Sequence, residues 1–253
     1  MAPNAWKQRI RRAETLALQY PFAKEILEFY VHLARFQQNL YEGFEHRASL
    51  KAAKFSPAGV WVPAMLSGQE GVGTLALENF PPFLTLVENY GTERLAQIAR
   101  ELRGAPQDTW LDLMNGVWSG AEPPSKSEEF LSFAFLQPYA EFIGSRAHLQ
   151  LEGYSSSLCP FCNRQAGFGL LRPQGDGAKR GLVCGFCLTE WEFRRIICPG
   201  CGEEGNAKLP VFTAESLAHV RVECCDTCQT YIKSIDLTNR LRSACFRGCS
   251  LDH

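Results

Sequence analysis

Apolar and polar residues follow two different patterns along the chain, and the change falls near residues 153–157. Before it, apolar residues recur at helical spacing. After it, short runs typical of β-strands are separated by Gly, Pro and Cys. We therefore expect an α+β protein with an all-helical domain over residues 1–153. Two tandem small β-rich modules then follow over residues 154–197 and 198–253, the second with a short C-terminal tail.

The most regular helical pattern predicts a long helix near the start of the chain. Its apolar residues recur at steps of four and three, which places them on one face, and we expect that face to pack against the core. These residues are Phe22, Ile26, Phe29, Leu33, Phe36 and Leu40. Helical patterns also cover 82–103, 108–118 and 128–149. Residues 56–81 are interrupted by Pro and Gly, so we predict a loop or a short-helix segment there.

The last of these helical patterns carries its own start signal. Ser125 and Glu128 have the spacing of a capping box, in which both side chains satisfy backbone N–H groups at the start of a helix. Apolar residues in the pattern that follows are too numerous for an exposed helix. We therefore expect a central helix that begins close to Ser125.

Cysteine is unevenly distributed along the chain. There are eleven cysteines and none precedes Cys159, so a disulfide framework for the whole protein is not indicated. Eight of them form four Cys-x-x-Cys pairs: Cys159/Cys162, Cys184/Cys187, Cys198/Cys201 and Cys225/Cys228. Arg180 and Arg221 each stand four residues before a second pair, and Thr189 and Thr230 each stand two residues after it. The paired cysteines therefore belong to a tandem repeat.

Paired cysteines at this spacing predict two metal sites. Two thiolates on one tight turn form half of a tetrahedral site, and a second turn completes it. Each module has few apolar residues, so a bound metal would supply stability that its core lacks. The repeat favours one site from the first two pairs and another from the last two, over a cross-braced arrangement of alternate pairs. Four thiolates suit zinc or a single iron, and the spacing does not choose between them.

Several residues near the pairs have alternative interpretations. Cys224 adjoins Cys225 and would point the opposite way on a strand, so we expect a small packed side chain rather than a ligand. Cys245 and Cys249 have helical spacing and lack partner ligands. Phe161 and Phe186 lie inside the pairs, where they are either exposed contact points for a partner or caps over the metal.

Charge and hydropathy limit the partners and the compartment. The net charge is −1, so no overall basic field attracts nucleic acid or an anionic membrane. No apolar stretch is long enough for a membrane helix, and we expect no membrane insertion. The first 20 residues lack the apolar core of a secretory signal, so we expect a cytoplasmic protein.

The cysteine motifs resemble those of the formate dehydrogenase accessory protein family (FdhE). The similar motifs are Cys-x-x-Cys-x-Thr-Glu-Trp, Arg-x-x-Cys-x-x-Cys-Gly and Glu-x-Cys-Asp-x-Cys-x-x-Tyr-x-Lys. Beyond the cysteines, the resemblance rests on Thr189, Glu190, Trp191, Arg195, Asp226, Tyr231 and Lys233. It covers roughly residues 20–237, with a departure at Asn163, where the family usually has Gly.

This resemblance implies a cytoplasmic maturation factor for respiratory formate dehydrogenase, an enzyme that contains molybdenum or tungsten. It implies a helical domain followed by two rubredoxin-like modules that bind iron, with the eight paired cysteines as ligands. It also implies that the protein contacts the catalytic subunit of formate dehydrogenase before export.

We therefore expect an accessory protein that is not an enzyme. It would carry two metal ions, iron or zinc, each bound by four cysteines, for docking, redox sensing or electron transfer. The alternative is a zinc-ribbon module that binds nucleic acid or serves as a general protein-interaction module. Nucleic-acid binding needs clustered basic residues, and residues 154–253 carry 12 basic and 10 acidic groups, so we expect no nucleic-acid partner. A thiol redox enzyme would place one reactive Cys-x-x-Cys beside a βαβ pattern, which the sequence lacks.

Overall fold

The computed structural model describes residues 5–47, 72–120, 125–147, 149–175 and 177–238. These residues form two compact units, and the chain passes from the first to the second between Phe142 and Ile143. The first unit is helical and the second contains a β-sheet, which confirms the predicted α+β class.

Six helices lie in the described part of the chain. They are α1 (Ala5–Gln19), α2 (Lys24–Arg47), α3 (Val72–Tyr90), α4 (Glu93–Gly104), α5 (Gln107–Ser119) and α6 (Lys126–Gly144), with a short 3-10 turn at Pro21–Ala23. None of these helices combines the length and the apolar character that crossing a membrane requires.

Helix α2 confirms only part of its predicted apolar face. Leu33 and Leu40 are buried, whereas Phe22 and Ile26 are 90% and 69% exposed. The prediction was therefore wrong for the first turns. Helical periodicity identifies a face, but it does not show how much of that face another element covers.

Helix α3 corrects the predicted loop over residues 56–81. The helix begins at Val72 and continues through Pro81 and Pro82. Proline in a helix interior removes a backbone hydrogen bond and usually breaks the helix. Here the flanking Phe80 and Phe83 are fully buried, and burying one large apolar side chain contributes about 1.5–3 kcal/mol. Tertiary packing thus outweighs the helix-breaking preference of the two prolines. Residues 56–71 of the predicted segment lie outside the described residues.

Helix α6 confirms its central position and the serine half of its predicted capping box. The backbone N–H of Glu128 donates to the Ser125 hydroxyl at 3.2 Å, and this hydroxyl donates to the Glu128 carboxylate at 2.6 Å. Leu131, Phe135 and Phe142 are completely or almost completely buried, so the helix is central to the first unit. Near its end, the two carboxylate oxygens of Glu141 accept from the guanidinium of Arg9 in α1, each at 3.0 Å.

The second unit is built around a single six-stranded sheet. Its strands are β1 (Ala166–Gln174), β2 (Gly177–Cys184), β3 (Glu190–Glu192), β4 (Val211–Thr213), β5 (Val220–Cys225) and β6 (Thr230–Asp236). The spatial order is β3-β2-β1-β6-β5-β4. All neighbours are antiparallel except β1 and β6, which are parallel.

The parallel pair joins the two halves of the tandem repeat. Strands β1 to β3 come from the first predicted module and β4 to β6 from the second, and Gly169 of β1 lies opposite Ser234 of β6. A side chain at position 169 would collide with the Ser234 hydroxyl, so glycine is needed for this close approach. The two modules thus share one sheet, while the domain boundaries given above stay predictions.

Candidate metal centres

The eight paired cysteines lie in two groups of four. Within each group all sulfur atoms lie within 4.8 Å of one another. We name them centre 1 (Cys159, Cys162, Cys184 and Cys187) and centre 2 (Cys198, Cys201, Cys225 and Cys228). The groups follow the sequential arrangement that the repeat favours, not the cross-braced one.

The spacing of the sulfurs fits a tetrahedral metal ion. In centre 1, Cys162 Sγ lies 3.4 Å from Cys184 Sγ, and in centre 2, Cys201 Sγ lies 3.7 Å from Cys225 Sγ. Four ligands at about 2.3 Å from a zinc ion would lie about 3.8 Å apart, whereas a disulfide bond is about 2.05 Å long. All eight thiols are free. The donor set therefore fits zinc or iron, and the role of these cysteines as ligands stays a prediction that the geometry favours.

All four Cys-x-x-Cys pairs adopt the same turn. The residue directly after the second cysteine has a positive φ in each case, between 55° and 78°: Asn163, Leu188, Gly202 and Gln229. Its N–H donates to the carbonyl of the first cysteine at 2.8–3.1 Å. Glycine and asparagine tolerate this left-handed conformation best. The departure at Asn163 from the glycine usual in the FdhE family therefore preserves the turn.

Threonine hydroxyls approach the sulfurs at equivalent places in the repeat. The Cys187 thiol donates to Thr189 Oγ1 at 3.2 Å, and Thr230 Oγ1 lies 3.0 Å from Cys228 Sγ, where either group can donate; once the sulfurs are thiolates, both hydroxyls become the donors. The repeat marks both threonines in the sequence, but their contact with sulfur becomes visible only in the structure. Hydrogen-bond donors at this distance stabilise thiolates and orient them towards a metal.

Centre 1 lies in the interior of the second unit. Cys184 is fully buried, and Phe161 and Phe186 are each only 2% exposed. The guanidinium of Arg164 lies over the Phe186 ring, 4.5 Å from its centre. Both phenylalanines are therefore buried, which favours their interpretation as caps over the metal, and their alternative role as exposed contact points is wrong.

Centre 2 is buried on one side and open to solvent on the other. Cys198 and Cys225 are buried, Cys228 is half-buried and Cys201 is exposed. Gly200 occupies the place that Phe161 has in centre 1, and a Cβ atom there would lie 3.0 Å from Thr230 Oγ1 and 3.5 Å from two of the sulfurs. The turn is thus too tight for a capping side chain at this position, and one side of the centre stays open to solvent.

The crowded thiols cannot all ionise without a cation. In centre 2 the Thr230 hydroxyl lowers the pKa of Cys228 to about 6. The backbone N–H of Glu203 lowers the pKa of Cys201, but desolvation and the neighbouring sulfurs outweigh it and raise that pKa to about 12. In centre 1, hydrogen bonding to Cys159 lowers the pKa of Cys184 and raises that of Cys162. Neighbouring negative charges oppose one another, and a metal cation removes this conflict.

Arg180 connects the two centres, a role that sequence reasoning missed. Its side chain is 2% exposed and its guanidinium forms an ion pair with Glu223 of β5 at 2.6 Å. The same guanidinium donates to the carbonyl oxygens of Arg194 and Ile197, at 3.1 and 2.9 Å. These carbonyls lie just before Cys198, so one residue of the first module positions the start of centre 2. In the sequence, this role of Arg180 was indicated only by its repeated position four residues before a cysteine pair.

Among the described residues, the remaining cysteine does not enlarge either centre. Cys224 is half-buried and is not part of the two sulfur groups, in agreement with its expected packing role. Cys245 and Cys249 lie outside the described residues.

Comparison with known proteins gives relatives that span both units. No family model matches the chain. It is 25% identical to a protein FdhE homolog of Aquifex aeolicus over 243 residues, which cover 92% of this chain and 85% of that protein. It is 23% identical to the homolog of Actinobacillus pleuropneumoniae over 249 residues, which cover 91% and 76% of the two chains.

A solved structure extends this likeness to the fold. The crystal structure of the FdhE protein from Pseudomonas aeruginosa matches with a TM-score of 0.62 and 21% identity. The match covers 94% of this chain and 84% of that one. Sequence and fold are therefore similar over nearly the whole chain, and they confirm the resemblance to the FdhE family that the cysteine motifs indicate.

Proposed function

We propose that this chain is a cytoplasmic accessory protein for the maturation of formate dehydrogenase, that it has no catalytic activity of its own, and that it binds the catalytic subunit of that enzyme. The observation that carries the proposal is the similarity to FdhE proteins along both units, together with two four-cysteine groups in the second unit. The similarity to FdhE proteins indicates formate dehydrogenase as the client, and the sulfur geometry indicates metal binding.

The two centres would hold one metal ion each. Cys159, Cys162, Cys184 and Cys187 would bind the first, and Cys198, Cys201, Cys225 and Cys228 the second. A bound zinc would act as a fixed crosslink between turns, and a bound iron would in addition accept and release one electron. The chain itself supplies the equivalent turns, the threonine hydroxyls beside the sulfurs and the Arg180 connection between the centres.

The structure favours different roles for the two centres in this function. The two phenylalanines within the pairs of centre 1 are buried, so this centre suits a structural role. Centre 2 has an exposed ligand, and Ile196 and Tyr231 near it are 56% and 64% exposed. Exposed aromatic and apolar side chains are enriched where proteins bind one another. We therefore assign the client contact, and any redox sensing or electron transfer, to the surface around centre 2.

Co-purification tests the client directly. The full chain is produced with the formate dehydrogenase catalytic subunit and captured under anaerobic conditions. A catalytic subunit of another molybdenum enzyme serves as the control. We expect the first subunit to be retained and the second to be lost. Equal retention of both, or of neither, would contradict the proposal.

Cell activity tests the accessory role and the place of centre 2. We expect formate dehydrogenase activity to fall when the chain is deleted and to return when it is supplied. Cys201→Ser should not restore it, because it removes a ligand of centre 2, whereas Cys224→Ser should restore it because this neighbouring cysteine belongs to neither centre. Full activity in the deletion strain would exclude the role.

A further inference from the structure

A pocket on the second unit contains more positive charge than its own residues neutralise. Its volume is about 650 Å³, and it lies on the sheet beside centre 2. Arg180, Arg195 and Arg221 line it, and Glu223 is the carboxylate among the residues that line it. We call this the arginine pocket. Lys233 also lines the pocket, so four cationic groups stand against one carboxylate; a zinc-loaded centre 2 beside it would add a charge of −2, and about one positive charge would remain in a partly buried space.

Arg221 has no acceptor in the described part of the chain. Its Nε atom is buried and has no hydrogen-bond partner. No ion pair or hydrogen bond joins its guanidinium to another described residue either, although the side chain lines the pocket. Buried N–H groups are almost always paired in folded proteins, because a lost hydrogen bond to water is costly unless it is replaced.

A second buried donor lines the same pocket. The Nε atom of Arg180 also lacks a partner, and this side chain is 2% exposed. The terminal nitrogens of Arg180 are occupied by Glu223 and by backbone carbonyls. The Nε–H groups of Arg221 and Arg180 are therefore both buried without a described acceptor, and the terminal nitrogens of Arg221, which lines the pocket, also have none among the described residues.

Comparison of the two halves of the tandem repeat shows which acceptors Arg221 lacks. Arg180 and Arg221 stand at equivalent places, each four residues before a cysteine pair. The Nη1 group of Arg180 donates to carbonyls of the segment that follows the short strand β3. In the second module β6 continues as a long strand and pairs with β1 instead. No equivalent carbonyls reach Arg221 from the described residues, and Glu223 is already taken by Arg180.

The sulfurs of centre 2 do not supply the acceptor. Their close partners are one another, the N–H of Gly200 and the hydroxyl of Thr230. A loaded centre would carry negative charge and attract the arginines over a distance. It would still leave the directional N–H groups of Arg221 without an oxygen to receive them.

We propose that the arginine pocket binds a carboxylate, with the terminal N–H groups of the Arg221 guanidinium as its donors and the positive charge of Arg180 beside them. A guanidinium matches a carboxylate in shape because its parallel N–H groups meet both oxygens. The carboxylate comes either from a small free acid or from an acidic side chain of a bound polypeptide. Val211 and Tyr231 at the pocket are exposed apolar residues, and the volume exceeds what one carboxylate group needs. The site does not depend on which enzyme is the client.

Nuclear magnetic resonance of the arginine side chains tests this site. The full chain is labelled with ¹⁵N, loaded with zinc and titrated with sodium acetate at constant ionic strength, with sodium chloride as the control. We expect saturable shifts of the guanidinium N–H signals of Arg221 and Arg180. Shifts that do not saturate, or that chloride reproduces, would overturn the proposal.

Matched variants locate the binding to Arg221. Arg221→Gln should weaken acetate binding about tenfold or more, the loss expected for one charge-assisted pair. Arg221→Lys keeps the charge but lacks the paired N–H groups, so its affinity for acetate should lie between those of the unchanged protein and Arg221→Gln. Arg194→Gln is the control, since Arg194 pairs with Glu204 and is exposed. An Arg221→Gln protein that changes only its metal content would show that Arg221 serves as a counter-ion to centre 2, and would overturn the carboxylate site.

Peptides then identify the source of the carboxylate. The probes are a blocked pentapeptide with a central glutamate between valines and the same peptide with glutamine. Tighter binding of the glutamate peptide than of acetate, with no binding of the glutamine peptide, assigns the site to an acidic segment of a protein. Saturable acetate binding that the glutamate peptide does not improve assigns it to a small free acid.

Discussion

Centres 1 and 2 are built from the same turn, yet one lies in the interior and the other is open to solvent on one side. They differ at the residue before the second cysteine of each pair. It is phenylalanine in both pairs of centre 1, at Phe161 and Phe186, and glycine or threonine in centre 2, at Gly200 and Thr227. The two phenylalanines are buried, while Cys201 of centre 2 is exposed. We attribute the different environments of the two centres to this change of side chains.

The two centres are suited to different roles: centre 1 to stabilising the sheet and centre 2 to contact with a partner. A covered four-thiolate centre resists water, chelators and oxidants, and so suits the stabilisation of a small sheet. An exposed one exchanges ions and meets partners. The predictions below test this separation, beginning with the largest expected effect.

Loss of a ligand should be far more damaging in centre 1. We expect Cys184→Ser to unfold the second unit, since a structural metal site contributes apparent stability of roughly 10–16 kcal/mol in small domains. Cys201→Ser should keep the fold and lose one ion. Circular dichroism and metal content measure both outcomes, with Cys224→Ser as the control. Equal unfolding by the two ligand variants would remove the distinction between the centres.

Arg180 should be the next most sensitive position, because it joins the two centres. Arg180→Gln leaves Glu223 without its ion pair and removes donors from the segment before Cys198. Breaking a buried pair by removing one partner costs about 3–5 kcal/mol. Arg194→Gln removes an exposed pair with Glu204, and such pairs contribute about 1 kcal/mol or less. Urea unfolding of the metal-loaded protein compares the variants; similar midpoints for the two would contradict the connecting role.

The phenylalanine caps should account for the protection of centre 1. Phe186→Ala removes a side chain that is 2% exposed, which costs about 3–5 kcal/mol in protein cores. We also expect centre 1 of this variant to release its metal to a chelator faster than in the unchanged protein. Phe212→Ala is a suitable control, as Phe212 is 59% exposed. Unchanged metal release would mean that the caps stabilise the fold without shielding the ion.

Metal binding at centre 2 should depend steeply on pH. In the metal-free protein the pKa of Cys201 is raised to about 12, and burial raises the pKa of Cys198 above its ordinary value, so both thiols carry protons that the metal must displace at neutral pH. The pKa of Cys228 is lowered to about 6, so this thiol adds to the effect only below that pH. The bound state holds fewer protons than the free state, and affinity therefore rises with pH.

Because two protons are displaced, we expect at least about a hundredfold gain in affinity per pH unit between pH 6 and 8, and a steeper dependence below pH 6. Competition with a chelator of known affinity measures it in the unchanged protein, by following the faster of the two ions. An affinity that does not change between pH 6 and 8 would show that the thiols of centre 2 are already ionised without metal.

The sequence predicted the cysteine turns and the helix start well because both depend on residues only a few positions apart in the chain. Cysteine spacing fixed the pairs, the repeat indicated their sequential grouping, and Ser125 with Glu128 marked the start of a helix. The sequence also contained a signal for the caps, because phenylalanine stands in both pairs of centre 1 and in neither pair of centre 2. Their burial could be argued once the pairs were compared with one another.

What the sequence did not reveal depends on contacts between distant residues. The parallel pairing of β1 and β6 joins positions 65 residues apart, such as Gly169 and Ser234, and no local pattern marks it. The reach of Arg180 across the sheet depends on that same pairing. The helix through Pro81 depends on the burial of Phe80 and Phe83, which overrides the local preference of proline.

The most direct test of the account is the stepwise removal of metal from the full chain purified anaerobically. Total metal is measured first, and a chelator is then added while metal release and protein fold are followed together. The account predicts two ions per chain, the first leaving quickly with the fold intact and the second leaving slowly as the sheet unfolds. Fewer than two ions, or two ions that leave together at one rate, would contradict the division into a buried structural centre and an exposed one.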